Sequence, residues 1–174
     1  MHPLFRTPIA LVLAAGALAG CQPQADPPRD AEAQALLNTL LNPKGDHRKL
    51  SLALKPRHED YVAVFDADAA PAAESTYEKI WAAGRVVIRP KPGQLACSFW
   101  SATTQELRDG AKPSQDFPEE FRAIAGRIKP HVRWYRFKFT QEGESRGLTY
   151  DGLTHVNGRW VIFPQPWKVI RTAG

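Results

Sequence analysis

The chain has 174 residues, 43% of them hydrophobic and 24% charged, with 23 Lys and Arg against 18 Asp and Glu for a formal net charge of +5. This length fits one domain, and the apolar content is enough for a core, which excludes an unstructured polyampholyte. No block of like charges occurs, so the mild positive balance reads as a solvated surface rather than a polyanion-binding stripe.

Residues 1–20 read as a targeting segment and not as part of the fold. His2 and Arg6 lie in a short n-region, and Ile9 to Ala19 is an apolar run too short to span a bilayer comfortably. The run ends in Leu18-Ala19-Gly20-Cys21. This resembles the lipobox of bacterial lipoproteins. The resemblance implies a signal peptide over 1–20, lipidation of the Cys21 thiol, cleavage just before Cys21, acylation of the new amine with a palmitate-type chain, and anchoring to membrane lipid through the modified cysteine. Cleavage removes Arg6 and no acid from a chain of net charge +5, which leaves +4. Gln22, not aspartate, then stands second in the mature chain. By the sorting rule of some Gram-negative lipoproteins, that implies the outer membrane of the cell envelope. With Cys21 taken by lipid, Cys97 has no intramolecular partner and is expected as a packed thiol. Residues 21–29, CQPQADPPR, read as the lipidated N-terminus and an extended tether. A single α+β domain is expected over 30–174.

A helix is expected from Asp30 as N-cap, with Ala33, Leu36, Leu37, Leu40 and Leu41 on one stripe and Asn42-Pro43-Lys44-Gly45 as its stop. Asp46 can cap a second short helix carrying Leu50 and Leu54. His58 to Phe65 reads as another, with Tyr61, Val64 and Phe65 inward. A loop follows, then a helix over 72–83 that groups Tyr77, Ile80 and Trp81 and stops at Gly84. Arg85 to Arg89 is β-branched and predicts a strand, with Pro90-Lys91-Pro92-Gly93 as a turn. Gln94 to Trp100 alternates and predicts another. Ser101 to Asp109 reads as a helix ended by Gly110. Pro118 to Ile128 reads as the last one, with Phe121, Ile124 and Ile128 aligned.

The stretch from Val132 to Trp167 predicts a three-stranded antiparallel meander. Tyr135, Phe137 and Phe139 alternate with Arg136 and Lys138, which implies one buried face and one wet face. Gln141 to Ser145, with Gly143, is a hairpin loop. Asn157-Gly158 fits a two-residue type I′ turn and sets the register: Val156 opposite Arg159, His155 opposite Trp160, Leu153 opposite Ile162. Asp151-Gly152 reads as a strand irregularity. Pro164 and Pro166 end the last strand, and Lys168 to Gly174 is expected to trail over the surface. Helices first and antiparallel strands last give an α+β class, with N-terminal helices packed on a curved sheet. In element order this is broadly similar to NTF2-like or cystatin-like rolls. The GRWVIFP strand also resembles the tail of uncharacterised secreted bacterial proteins. Neither resemblance carries a site.

No constellation in the chain has catalytic spacing. His47, His58, His131 and His155 are scattered without HxH, HExxH or CxxC spacing, so neither a metal nor a cofactor is expected. Cys97 with His155 and Asp151 would make a nucleophilic set, but the cysteine stands in an apolar strand without an activating context. Tyr150, Asp151 and His155 form the candidate pocket for a small roll-type enzyme, Asp151 and His155 being expected on one strand face. Trp134, Arg136 and Lys138 share the expected wet face. With Trp167 they form the candidate surface patch for an envelope protein or glycan. Basic residues interleaved with aromatics can also hold nucleic acid, but an anchored envelope protein does not meet it. The leading expectation is a non-enzymatic, lipid-anchored binding domain. A purely structural role in the envelope has the same sequence signature.

Overall fold

The computed structural model describes residues 27–170. The Leu18 to Cys21 motif, and residues 21–26 of the expected tether, lie outside the described residues. Within them the chain runs α1 (Pro27–Leu41), α2 (His47–Ala53), α3 (His58–Val64), α4 (Ala69–Ala82), β1 (Ala96–Thr103), α5 (Thr104–Asp109), α6 (Glu119–Ile124), β2 (Arg133–Thr140), β3 (Gly147–Val156), β4 (Arg159–Ile162) and α7 (Pro166–Ile170). Two short 3₁₀ turns cover Lys112–Asp116 and Ala125–Arg127. The class is α+β. The four strands make one open antiparallel sheet in the order β1-β2-β3-β4.

Local chemistry explains most boundaries. α1 begins at Pro27, three residues ahead of Asp30, because proline suits a first helical turn whose N–H has no partner. The Asp46 carboxylate accepts the Lys49 N–H at 3.0 Å and caps α2 as expected. α4 starts at Ala69 rather than Ala72, since Asp66 Oδ1 takes the Ala69 N–H at 2.6 Å. The expected helix over 101–109 begins only at Thr104, and β1 runs on to Thr103. The reason is a capping box: Glu106 N donates to Thr103 Oγ1 at 3.1 Å and Thr103 N to Glu106 Oε2 at 2.6 Å. The expected helix over 118–128 is α6 followed by a 3₁₀ turn, with Phe121, Ile124 and Ile128 all buried.

The meander has the predicted register, with Leu153 opposite Ile162, His155 opposite Trp160 and Val156 opposite Arg159. Asn157 and Gly158 take the positive φ values, 50° and 73°, that their turn requires. Along β2 and β3 the pairing slips between Tyr135 and Phe137, so Arg136 faces a bulge at Asp151-Gly152. β1 joins β2 with Cys97 opposite Phe139 and Phe99 opposite Phe137.

Each sheet face has its own aromatic core. On one, Tyr135 meets Phe99 and Trp160 at 5.9 and 5.1 Å between ring centroids, and Phe137 stacks on Tyr150 at 5.1 Å. α1 covers this face: it touches β1, and its Arg29 reaches His155 on β3. On the other face Phe163 collects Tyr61, Phe65 and Tyr77 from α3 and α4, with Trp134 beside it. Removing a ring so placed costs about 3–5 kcal/mol.

Three expectations are corrected by the structure. Trp134 is not on a wet face. It is fully buried, its ring 5.4 Å from Phe121, and its Nε1 donates to Thr104 Oγ1 at 3.0 Å. Alternation shows that two faces exist, but here helices cover both. Trp167 is likewise buried against Phe121, because residues from Pro166 form helix α7 instead of trailing over the surface. Arg85 to Arg89 forms no strand. Its backbone hydrogen-bonds to side chains: Ile88 N to Ser51 Oγ at 2.8 Å and Arg89 N to Tyr150 Oη at 3.1 Å. The β-branched run marked an extended, partly buried segment, and pairing is a separate, tertiary matter.

Candidate functional site

The bulge decides where the expected pocket residues point. Tyr150 lies over Phe137 and His155 lies edge-on to Trp160, both on the α1 side of the sheet. Gly152 adds one residue to the strand and flips the parity, so Asp151 points to the opposite face, at Arg136. Asp151 and His155 therefore do not share a face. The Tyr150 hydroxyl donates to Arg89 O at 3.0 Å and accepts from Arg89 N, which pins the 85–95 segment to the sheet. Burial pushes the Tyr150 pKa up, against the hydrogen bond and charge of Arg89. Asp151 Oδ1 lies 3.1 Å from Arg136 Nε, but the two are not aligned for a hydrogen bond. Burial accordingly outweighs the arginine and raises the Asp151 carboxyl pKa, with Glu120 adding to the rise. His155 Nε2 lies 3.1 Å from Arg29 Nη1, a bond in which arginine donates and the imidazole nitrogen accepts. The structure thus distributes Tyr150, Asp151 and His155 over three separate environments.

Of the expected surface patch, only the cations reach solvent. The Arg136 guanidinium turns to Asp151 and to the Asp116 carbonyl. The Lys138 ammonium lies 5.4 Å from the Trp100 ring centroid, so Trp100 is the aromatic neighbour that Trp134 was expected to be.

Cys97 is half-buried, and desolvation pushes its thiol pKa up to about 11 from 9.0, against a hydrogen bond from the Lys138 backbone. It stands opposite Phe139, near the far end of β2 from His155. A shift of two pKa units leaves about 100-fold less thiolate at neutral pH. In a Cys21→Ser chain, where Cys97 is the sole thiol, alkylation by iodoacetamide at pH 7.5 is expected to be about tenfold slower than in the urea-unfolded chain, because the scarcer thiolate is also the more nucleophilic one. The rate should keep climbing until about pH 11. Equal folded and unfolded rates at pH 7.5 would show an unperturbed thiol, and a faster folded rate an activated one; either would overturn the packed-thiol reading.

An open groove of about 720 Å³ lies beside the sheet. Its walls are Pro43 and His47 after α1, the segment from Val87 to Leu95, and Leu148 and Tyr150 of β3. Val87 and Leu95 are large apolar side chains that stand exposed in it, 37% and 64% respectively. Arg89 and Lys91 are exposed beside them, and no carboxylate lines the groove. The Tyr150 clamp and the Ile88 N–H bond to Ser51 hold this wall without a sheet ladder. Sequence reasoning missed the groove. The available signal was RVVIRPKPGQL itself, where cations, prolines and apolar residues mix without an acid.

The fold and the groove together define an α+β domain with an open basic and apolar trough at the C-terminal end of α1. Comparison with known protein families, characterised proteins and solved structures finds no match. Among the described residues, no group of three or more His, Cys, Asp or Glu is placed to hold a metal ion, and no helix is long and apolar enough to cross a membrane.

Proposed function

We propose that this chain is a lipid-anchored protein of the bacterial envelope, held at the outer membrane through acylated Cys21, whose α+β domain binds a ligand or partner without transforming it. The observation that carries the binding role is the groove. It offers exposed apolar side chains and cations together, which is the composition of a recognition surface. The lipobox-like Leu18-Ala19-Gly20-Cys21 supports the anchor. The 15-residue α1 then sets the groove about 22 Å along from where the tether enters, at 1.5 Å per residue. The separation of Tyr150, Asp151 and His155 weighs against the roll-type enzyme.

Two measurements test the reading. Membrane fractionation of cells carrying Cys21→Ser is expected to move the protein wholly to the soluble fraction; retention in the membrane would overturn the anchor. A photo-crosslinking residue at Leu95 should give a discrete adduct in intact cells, lost when Arg89 and Lys91 are changed to alanine. The same residue at Val62, which is 49% exposed on α3, is the comparison. No adduct at Leu95 above that at Val62 would overturn the groove as the binding site.

A further inference from the structure

The groove also limits what it can hold, and this inference rests on the binding role proposed above. Its volume of about 720 Å³ falls within the roughly 300–1,000 Å³ typical of small-ligand sites. One wall is apolar: Val87, Leu95, Leu148 and the Tyr150 ring, with Pro43, Pro90 and Pro92 around them. The other character is positive. Arg89 and Lys91 line it, and Lys44, Arg48 and Arg85 are exposed nearby in the chain without lining it. The Arg48 guanidinium reaches to 3.9 Å from where a Gly84 side chain would start, so the α2 and 84–91 segments lie together.

The acids near this surface are few. Asp46 spends its carboxylate on the Lys49 N–H at the start of α2. Glu142 and Glu144 stand exposed in the hairpin loop after Gln141, whose side chain neighbours Gly93. Neither glutamate lines the groove.

An apolar trough of small-molecule size, rimmed by two exposed cations, fits a molecule with an anionic head and one hydrocarbon chain. We propose that the groove binds a fatty acid, with its carboxylate at Arg89 and Lys91 and its chain along Val87, Leu95, Leu148 and Tyr150. Charge complementarity fixes the head, and the exposed apolar pair at Val87 and Leu95 fixes the path of the chain.

The test is calorimetric titration of the mature chain carrying Cys21→Ser with decanoate, dodecanoate and tetradecanoate below their micellar concentrations. Affinity should rise about two- to fourfold per added methylene, according to how fully each is buried. Arg89→Ala with Lys91→Ala is expected to weaken dodecanoate at least tenfold, with an unchanged melting profile. Lys79→Ala with Lys112→Ala removes the same charge elsewhere and should leave affinity at the wild-type level. Leu95→Ala should weaken tetradecanoate more than decanoate. Equal affinity for dodecanol, no dependence on chain length, equal loss from both double variants, or hexaglutamate binding as tightly as dodecanoate would each overturn the proposal. A Leu95 adduct in cells combined with no fatty-acid binding would sink the lipid assignment alone and leave the groove as a site for another ligand.

Discussion

Gly152→Ala is expected to cost about 4 kcal/mol or more, enough to leave much of the chain unfolded or insoluble. A Cβ at this position would lie 1.9 Å from the Phe163 carbonyl oxygen and 2.7 Å from its carbonyl carbon. Both are backbone atoms of the segment that follows β4, and neither can swing away as a side chain tip would. The backbone at Gly152 is also left-handed, with φ at 91°, where a side chain is strained whatever the space. Its carbonyl accepts the Phe163 N–H at 2.9 Å, so a retreat would break the bond that seats Phe163 in its ring cluster. Urea unfolding of the Cys21→Ser chain measures this directly. Gly126→Ala is the comparison. Nothing lies within 4 Å of its Cβ and its φ is ordinary, so the change should stay within about 0.5 kcal/mol. A Gly152→Ala chain as stable as Gly126→Ala would mean that the bulge is not held against Phe163.

Asp60→Ala is expected to cost about 3–5 kcal/mol, because it strands a paired arginine in a partly buried place. The Asp60 side chain is fully buried at the start of α3. One oxygen accepts from Arg159 Nη1 at 2.6 Å and from Arg57 N at 2.9 Å; the other accepts from Asn157 Nδ2 at 2.9 Å. Arg159 carries on to the Ala53 and Lys55 carbonyls, each at 3.0 Å. This one carboxylate therefore ties the α2–α3 connection to the tight turn between β3 and β4. Asp60→Asn keeps acceptor and shape but loses the charge, and should cost about half as much. In the double variant with Arg159→Ala the losses should fall short of their sum by about 1–3 kcal/mol, since the two side chains share one interaction. Additive losses would show that the arginine is held by the carbonyls alone.

Groups legible in the sequence have a local cause. The Asp46 cap, the Tyr61, Val64 and Phe65 stripe, the Asn157-Gly158 turn with its register, and the irregularity at Gly152 each depend on residues within a few positions of one another. The Thr103 to Glu106 capping box and Pro166 at the start of α7 were equally local signals, and both correct the strand and tail boundaries once read that way. Trp134, Trp167 and the 85–89 run needed more. Period-two alternation separates two faces of β2 but does not say how many layers cover them, and helices from distant parts of the chain bury both. One inserted residue at Gly152 turned Asp151 from the His155 side to the Arg136 side.

By itself the sequence determined the α+β class, the helices ahead of the final meander, the register of the last hairpin and the lipobox-like motif, because capping, periodicity and turn geometry act between near neighbours. Only the tertiary structure decided which aromatics are core, where the bulge aims its neighbours, and that Pro43, the 87–95 segment and Tyr150 meet to form a groove. Those outcomes depend on packing between elements that are not neighbours in the chain, such as Trp167 against Phe121 and Pro43 beside Tyr150, and no local pattern encodes such contacts.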